Sequence, residues 1–184
     1  MITQQSLEIQ NCFLFKSGVF PDERGSFREW YWPEKVPFTP SQGNVSTSKK
    51  GVVRGLHLSV GAAGQAKWIT CLAGEINDVI VDLRPNSPSF LKMQVVNLSP
   101  ASGLSLSIPA GIAHGFASLK EDSIVAYLVS APFDPAHEVG IYPFDKRLNI
   151  DWGVKNVKIS SKDQSGLSLD DFLLKYQGEL ENFL

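Results

Sequence analysis

Apolar side chains recur at every second position in parts of this chain, and that period constrains the fold most. Leu104, Leu106 and Ile108 alternate with serines, and Pro109 follows at once. Successive side chains of a strand face opposite sides, so the pattern predicts a half-buried strand that ends before Pro109. Residues 124–129 are apolar in both alternating sets, which predicts a strand covered on both faces.

Further strands are expected between turn signals. Residues 75–83 predict a strand with Val79, Val81 and Leu83 on one face. Residues 67–72 predict another strand just before it, with Ala73-Gly74 as a tight turn.

Residues 92–98 predict a strand that follows the turn signal Pro-Asn-Ser-Pro at 85–88. Glycine (15) and proline (11) are spread along the 184 residues, as many turns between short strands would require. The chain therefore favours an all-β sandwich or barrel, of which the jelly roll is one solution.

Helical sequence is scarce, and the best candidate lies in the last residues. Ser168 stands three residues before Asp171, the spacing of a helix N-cap and its partner. Gly178 weakens the helix by about 1 kcal/mol of propensity. The apolar residues that would share one helical face are Phe172, Tyr176, Leu180 and Phe183.

Length and composition indicate one globular domain over residues 1–184, with a β core over about residues 15–165 and a helical tail over residues 167–184. Hydrophobic residues make up 43% and charged residues 20%, which allows a core without disulfides. The net charge of −2 argues against a nucleic-acid partner but leaves an anionic small ligand open.

Cysteine usage and the N-terminal sequence suggest a location. Cys12 and Cys71 cannot form a disulfide framework, and Cys71 lies in an apolar run that predicts a buried thiol. The first residues lack the features of a signal peptide. Residues 93–119 carry no charge, but prolines and glycines interrupt them, so we expect no membrane span. We expect a soluble, cytoplasmic protein.

Three histidines are candidates for chemistry. His57 lies in RGLH and His114 in PAGIAHGF, beside glycines and apolar residues. One such histidine is more often a core residue with a satisfied hydrogen bond, but two at the ends of strand-like runs favour a pocket. His137, in DPAHE, is typical of a solvated loop.

Two histidines with a carboxylate could also bind iron or zinc. Small β-barrel metal sites usually carry paired histidines two residues apart. The residue two after His57 is Ser59, and no HxH sequence occurs in the chain. We therefore expect no metal.

Cationic and hydroxyl side chains complete the candidates. Arg24, Arg54 and Lys67 are ordinary surface residues if taken singly, but together they could clamp a diphosphate. A pocket lysine could instead stabilise an oxyanion. Tyr127 is either a core tyrosine or a general acid. Asp163 is either a solvated turn carboxylate or the partner that orients a histidine.

Short motifs follow one another in a specific order over residues 19–163. RGLH at 54–57 is followed by Lys67, by VDLRPNSPSF at 81–90 and by IPAGIAHGF at 108–116. Any single motif would be weak, but the ordered set resembles the dTDP-4-dehydrorhamnose 3,5-epimerase family, the cupin-type epimerases of deoxysugar biosynthesis.

The resemblance implies a jelly-roll fold, a homodimer, no metal or organic cofactor, and a nucleotide-linked 4-keto-6-deoxyhexose as substrate. By position, it makes His57 the base, Asp163 its partner, Tyr127 the acid on the opposite face and Lys67 the cation at the enolate oxygen. The residues that it places around the sugar and phosphate are Gln42, Asn44, Arg54, His114 and Phe133. Those that it places at the nucleotide across the dimer interface are Arg24, Phe27 and Glu29.

The chain departs from the family pattern at the rim of this site. Phe133 stands where the family often has tyrosine, Ser59 replaces a common glutamine, and the loop at 61–63 lacks the usual prolines. These changes leave room for a single-site epimerase that acts at C3 or C5 only. A metal-dependent cupin and a non-catalytic nucleotide-sugar binder are alternatives of other classes.

Overall fold

The computed structural model describes residues 2–183 and builds them mainly from short strands. The strands are β1 (Thr3–Ser6), β2 (Phe13–Lys16), β3 (Phe20–Asp22), β4 (Gly25–Phe27), β5 (Gln42–Ser48), β6 (Val53–Ser59), β7 (Lys67–Ala73), β8 (Ile76–Asp82), β9 (Met93–Leu98), β10 (Leu104–Ile108), β11 (Ile112–Ser118), β12 (Ser123–Val129) and β13 (Glu138–Gly140). The helices are α1 (Ser161–Gln164) and α2 (Leu169–Tyr176), with 3₁₀ turns at Gly61–Ala63, Pro100–Ser102 and Gln177–Leu180.

Two antiparallel sheets form the body of the fold. A six-stranded sheet has the order β1-β2-β10-β7-β12-β5, and a five-stranded sheet has the order β13-β6-β11-β8-β9. Strands β3 and β4 form a separate hairpin. The predicted fold class, an all-β jelly-roll sandwich with a short C-terminal helix, is confirmed. Within residues 2–183 no helix is long and apolar enough to cross a membrane.

The central core lies between the two sheets. Ile69 and Cys71 of β7 belong to one buried cluster with Ile80 of β8 and Phe116 of β11. Cys71 is fully buried, as its apolar run predicted. This layer holds the sheets together and leaves a gap at one part of their inner faces, where polar residues replace apolar ones.

Each sheet is also covered on its outer face. Leu56 of β6 and Val79 of β8 pack under the C-terminal segment, against Trp152 and Phe172. On the six-stranded sheet, Trp68 is fully buried, and its ring N–H donates to the Trp30 carbonyl oxygen at 2.8 Å. Each sheet therefore carries a second apolar layer over part of its outer face.

The strands predicted from alternation are present. Residues 104–108 form β10, residues 92–98 include β9, and residues 75–83 include β8. As predicted, Val79, Val81 and Leu83 belong to one cluster, which lies on the outer face of the five-stranded sheet.

The turn at Ala73-Gly74 is also present, but it does not close a hairpin. Gly74 has a φ of 73°, and a Cβ there would lie 2.3 Å from Ser123 Oγ, so glycine is required. The chain passes here from β7 in the six-stranded sheet to β8 in the five-stranded sheet. Local sequence signals a turn, whereas the pairing of the flanking strands depends on distant residues.

Strand β12 is covered less evenly than predicted. Val125 and Val129 are buried, but Ile124, Tyr127 and Leu128 are partly exposed. For Tyr127 the physical reason is a cavity on the inner face of the sheet, which removes apolar cover from its ring.

The predicted C-terminal helix is present, but it ends at Tyr176, before Leu180 and Phe183 of its predicted apolar face. The Ser168 hydroxyl oxygen accepts from the Asp171 backbone N–H at 3.1 Å. Helix α2 ends at Tyr176, and the 3₁₀ turn that follows contains Gly178. The four residues of the predicted face all pack against the five-stranded sheet: Phe172, Tyr176, Leu180 and Phe183.

Candidate active site

A cavity of about 700 Å³ lies between the inner faces of the two sheets. Its lining comes from β5, β7 and β12 on one side and from β6 and β11 on the other, with α1 at the edge. The predicted site residues that line it are Gln42, Asn44, Arg54, His57, Lys67, His114, Tyr127, Phe133 and Asp163. Residues from distant parts of the chain therefore line the same cavity.

Strand register places the two cavity histidines side by side. His57 of β6 stands directly opposite His114 of β11, so both side chains face the same way. A Cβ on Gly55 would lie 2.7 Å from the Gly115 Cα, and one on Gly115 would lie 2.7 Å from the Arg54 carbonyl oxygen. The glycines of RGLH and AHGF thus allow the close strand approach that sets this pair.

His57 is held by a buried carboxylate. Its Nε2 lies 2.6 Å from Asp163 Oδ1, and the Ser160 hydroxyl oxygen caps α1 by accepting from the Asp163 N–H at 3.0 Å. Burial acts to raise the pKa of Asp163, but the hydrogen bond and charge of His57 outweigh it and leave that pKa below its usual value. An ionised Asp163 accepts from Nε2–H, which leaves Nδ1 of His57 free to accept a proton.

His114 has a carboxylate partner of its own. Its Nε2 lies 2.8 Å from Oδ2 of Asp78, a fully buried residue. Burial raises the pKa of Asp78, and the nearby His114 and Lys67 oppose that rise. Within the described residues, 2–183, no group of three or more His, Cys, Asp or Glu side chains is arranged to hold a metal ion.

On the opposite wall of the cavity, the pairing of β12 with β5 and β7 positions the side chains. Tyr127 stands opposite Asn44 of β5, and Val129 stands opposite both Gln42 and Lys67. Residues two apart in a strand face the same side, so the side chains of all five share one face. That face looks toward the five-stranded sheet and its histidines.

Lys67 is a buried cation in this wall. Its side chain is 7% exposed, and its Nζ donates to Gln65 Oε1 at 2.7 Å. Burial lowers the pKa of Lys67 to about 8, although the charges of Glu138 and Asp78 oppose the shift. The ammonium form still predominates at neutral pH, where it can stabilise a developing negative charge.

Tyr127 keeps its proton in this environment. Burial and the charge of Glu138 raise the pKa of the Tyr127 phenol, and Arg54 partly opposes them. A protonated phenol on one sheet therefore faces the His57–Asp163 pair on the other. Such a site can remove a proton from one face of a bound molecule and return one to the other face.

A family model described as dTDP-4-dehydrorhamnose 3,5-epimerase matches residues 6–171. The chain belongs to this epimerase family. Members of the family are isomerases, and this chain is one of them.

Relatives with different printed specificities are similar to the chain. A dTDP-4-dehydrorhamnose 3,5-epimerase of Shigella flexneri is 40% identical over 172 residues, or 89% of this chain and 94% of that one. A dTDP-4-dehydrorhamnose 3-epimerase of Streptomyces niveus is 38% identical over 154 residues, or 80% and 74%.

Among solved structures, a dTDP-6-deoxy-D-glucose-3,5-epimerase of Legionella pneumophila in complex with dTDP-4-keto-L-rhamnose superimposes with a TM-score of 0.87. It is 33% identical, and the match covers 92% of this chain and 94% of that chain. The cupin-type jelly roll is therefore the fold of the epimerase family as well as of this chain.

The rim of the epimerase cavity contains Phe133, which is half-exposed. Its backbone N–H donates to Gln42 Oε1 at 3.0 Å, and Gln42 Nε2 donates to Asn44 Oδ1 at 2.7 Å. Lys162 lies 5.7 Å from the centre of the Phe133 ring and is ion-paired with Glu138. These contacts order the mouth of the cavity.

Arg54 is fixed on the cavity wall next to the histidines. Its Nε donates to the Ser48 hydroxyl oxygen at 2.9 Å, and its Nη2 donates to the Thr47 carbonyl oxygen at 3.1 Å. Neither acceptor is a carboxylate, so the positive charge of Arg54 is not neutralised by these contacts.

Three predicted binding residues lie away from the cavity. Arg24 is paired with Asp22 and its side chain is 85% exposed, while Phe27 is 65% exposed and Glu29 is also exposed. They belong to the β3–β4 hairpin and the segment after it. His137 is exposed and bonded to Asp134, as a loop histidine was expected to be.

Sequence reasoning missed several groups around the cavity: Ser46, Gln65, Asp78, Glu138, Lys158 and Lys162. Two of them had a local signal, because Gln65 stands two residues before Lys67, and Lys162 is next to Asp163. Asp78 and Glu138 had none, since only strand pairing brings them to the site.

Proposed function

We propose that this chain inverts C3 and C5 of a dTDP-4-keto-6-deoxyhexose and so converts dTDP-4-dehydro-6-deoxyglucose into dTDP-4-dehydrorhamnose. The observation that carries the proposal is the arrangement of His57–Asp163 and Tyr127, which line one cavity from facing sheets. Lys67 is buried in the same wall as Tyr127. This set needs no metal or organic cofactor for the reaction.

The chemistry follows from the ketone at C4. It acidifies the hydrogens on C3 and C5, because either carbanion delocalises onto the carbonyl oxygen. In a gluco-configured chair, both hydrogens are axial on the same face, so one base can remove each in turn. His57 is that base, and the charge of Asp163 supports the imidazolium that forms.

The intermediate is an enolate whose charge lies on the C4 oxygen, and Lys67 stabilises it. Tyr127 then returns a proton from the opposite face, which inverts the centre. General acid–base groups contribute roughly 10²–10⁴-fold each, and loss of one oxyanion donor costs about 10²–10³-fold. Together, acid–base catalysis and stabilisation of the enolate can accelerate a reaction in which only protons are transferred.

The nucleotide sugar carries a diphosphate, which requires cationic partners. Arg54 is a supporting feature, since its guanidinium is held at the wall by neutral oxygens and keeps its charge. In the proposal, Arg54 and His114 contact the sugar and phosphate region. Gln42, Asn44 and Phe133 line the mouth beside them.

The proposal includes a homodimer in which the nucleotide is held by the partner's hairpin. Arg24, Phe27 and Glu29 are exposed and lie off the cavity of their own chain. Phe27, at 65%, and Val45 of edge strand β5, at 68%, are exposed apolar side chains that a second copy would cover. Sedimentation velocity tests this, because a monomer at assay concentration would contradict it.

We also propose a cytoplasmic location. Cys12 and Cys71 are free, buried thiols, as expected in a reducing compartment. Cell fractionation with an antibody to the chain would test the location.

The central experiment is solvent exchange. The protein is incubated with dTDP-4-keto-6-deoxyglucose in D₂O, and C3 and C5 are read by NMR. Deuterium and inversion at both carbons are expected, whereas a His57→Asn control should give neither. No label at either carbon, with dTDP still bound, would make the chain a binding protein and contradict the proposal.

A second candidate is an epimerase that acts at one carbon only. It is favoured by the similarity to the Streptomyces niveus 3-epimerase and by Phe133 at the cavity mouth. In the same experiment, label and inversion at C3 alone or C5 alone would identify this activity.

A further inference from the structure

The side chain of Gln65 links the Lys67 ammonium to the end of the strand that carries Tyr127. Lys67 Nζ donates to Gln65 Oε1 at 2.7 Å, and Gln65 Nε2 donates to the Ala131 carbonyl oxygen at 2.7 Å. An ammonium only donates and a carbonyl only accepts, so both bonds require the same orientation of the amide. Gln65 is therefore fixed at both ends.

The backbone around Gln65 is fixed as well. Gln65 stands two residues before Lys67, the first residue of β7, and the direct hydrogen bond between them places both side chains on the same side. The Ala66 N–H donates to the Ser130 hydroxyl oxygen at 2.9 Å, and the Ser130 N–H donates to the Ala66 carbonyl oxygen at 3.1 Å. Gln65 is buried and lines the cavity. The bond to Lys67 is thus made by a rigid group.

The chemical nature of this partner matters as much as its position. A carboxylate at the same distance would form an ion pair with Lys67 and cancel most of its charge before substrate binds. The carbonyl oxygen of an amide accepts a hydrogen bond but carries no net charge. It occupies one of the three ammonium protons and leaves two for an enolate oxygen.

We propose that Gln65 is a positioning residue, which aims the Lys67 ammonium at the substrate carbonyl without neutralising it. The inference rests on the proposed function of Lys67 at the enolate oxygen. It adds a requirement that the partner be neutral, and that requirement can be tested apart from the role of Lys67.

Other charged groups around the cavity also affect the protonation of Lys67, so a test by pH profile must account for them. The titratable and charged groups on the elements around Lys67 are Arg54, His57, Asp78, His114, Tyr127, Glu138, Lys158, Lys162 and Asp163. Of these, Glu138 and Asp78 favour the charged form of Lys67, and burial opposes it. Since none of these groups changes in a Gln65 variant, a shift in the pH profile reports the new partner itself.

Two variants separate position from charge. Gln65→Met keeps the length and removes the acceptor, so kcat is expected to fall about 10- to 100-fold, with KM changed less, because a misaimed charge stabilises the enolate poorly. Gln65→Glu keeps the acceptor and adds a charge. It is expected to move the basic limb of kcat/KM above pH 8 and to lower kcat.

Gln94→Met is the matched control, because Gln94, on β9 and outside the cavity lining, accepts one hydrogen bond from the Glu8 N–H. It should keep wild-type kcat. Thermal melting and dTDP binding of each variant are measured in parallel, and wild-type values for both are expected in the folded variants.

Wild-type kcat in Gln65→Met, or an unmoved basic limb in Gln65→Glu, would overturn the positioning role. Lys67→Met is assayed beside them. If Lys67→Met is itself active, the proposed function of Lys67 fails; if it is inactive while Gln65→Met is normal, only the inference about Gln65 fails.

Discussion

His57 Nε2 and Asp163 Oδ1 lie 2.6 Å apart, although the two residues are 106 positions apart in the chain. A bridge between Val52 and Lys158 brings the late segment beside β6, and the Ser160 cap then starts α1 and points Asp163 inward. Residues 158–163 therefore orient His57, the proposed base.

Replacing Asp163 by asparagine should lower kcat by about 10²-fold or more, because an amide cannot stabilise the imidazolium that forms on His57. Binding of dTDP should stay normal. Steady-state kinetics checks this, with Asp134→Asn as the control, since Asp134 makes an equally short bond to a histidine outside the cavity lining. Equal losses in both variants would contradict a specific role for Asp163.

Replacing Tyr127 by phenylalanine should separate exchange from inversion. His57 can still remove the proton, so C3 and C5 should take up deuterium with retained configuration. Inversion should fall roughly 10²–10⁴-fold, because no acid remains on the opposite face. NMR of the product in D₂O measures both rates, and near-wild-type inversion would refute the assignment of Tyr127.

The pH profile should report Lys67. Its pKa is lowered to about 8 by burial, and the protonated form is the active one, so kcat/KM should fall as pH rises through about 8. Arginine stays charged over this range. In Lys67→Arg the fall near pH 8 should disappear, whatever the loss in absolute rate, and its persistence would assign that limb to another group.

Features with local causes were predictable from the sequence. Strand β10 follows from the alternation at 104–108, and α2 follows from the Ser168 cap. The turn at Gly74 was predictable, but its change of sheet was not, because that depends on pairing with β12 and β11 rather than on neighbours.

Sequence motifs predicted many of the residues that line the cavity, but they did not predict which of these residues contact one another. Spacing alone could not bring Asp163 to His57, because that contact depends on the return of residues 158–163 beside β6. Nor could it bring Asp78 to His114, because that contact depends on the pairing of β8 with β11. Gln65 was overlooked because its position two residues before Lys67 does not by itself show that its side chain accepts a hydrogen bond from the ammonium.

A hydroxyl added at the cavity mouth should tighten substrate binding. Phe133→Tyr places a hydroxyl at the mouth of the cavity, and one added hydrogen bond to the nucleotide sugar should lower its KM by roughly 2- to 10-fold with kcat little changed. Phe133→Leu, which adds no hydroxyl, should not lower KM. A higher KM in the tyrosine variant would show that the rim has no room for this contact.

The proposed base and the proposed acid lie on different sheets, so the packing between those sheets also sets the distance between the two groups. Ile69, Ile80 and Phe116 act as spacers, whose volume sets the width of the gap in which a sugar ring must fit between donor and acceptor. Trimming or enlarging a spacer would alter proton-transfer distances even where the chain stays folded. Substitutions at Ile69 and Ile80, which lie outside the cavity lining, are therefore expected to alter turnover without any direct contact with the sugar.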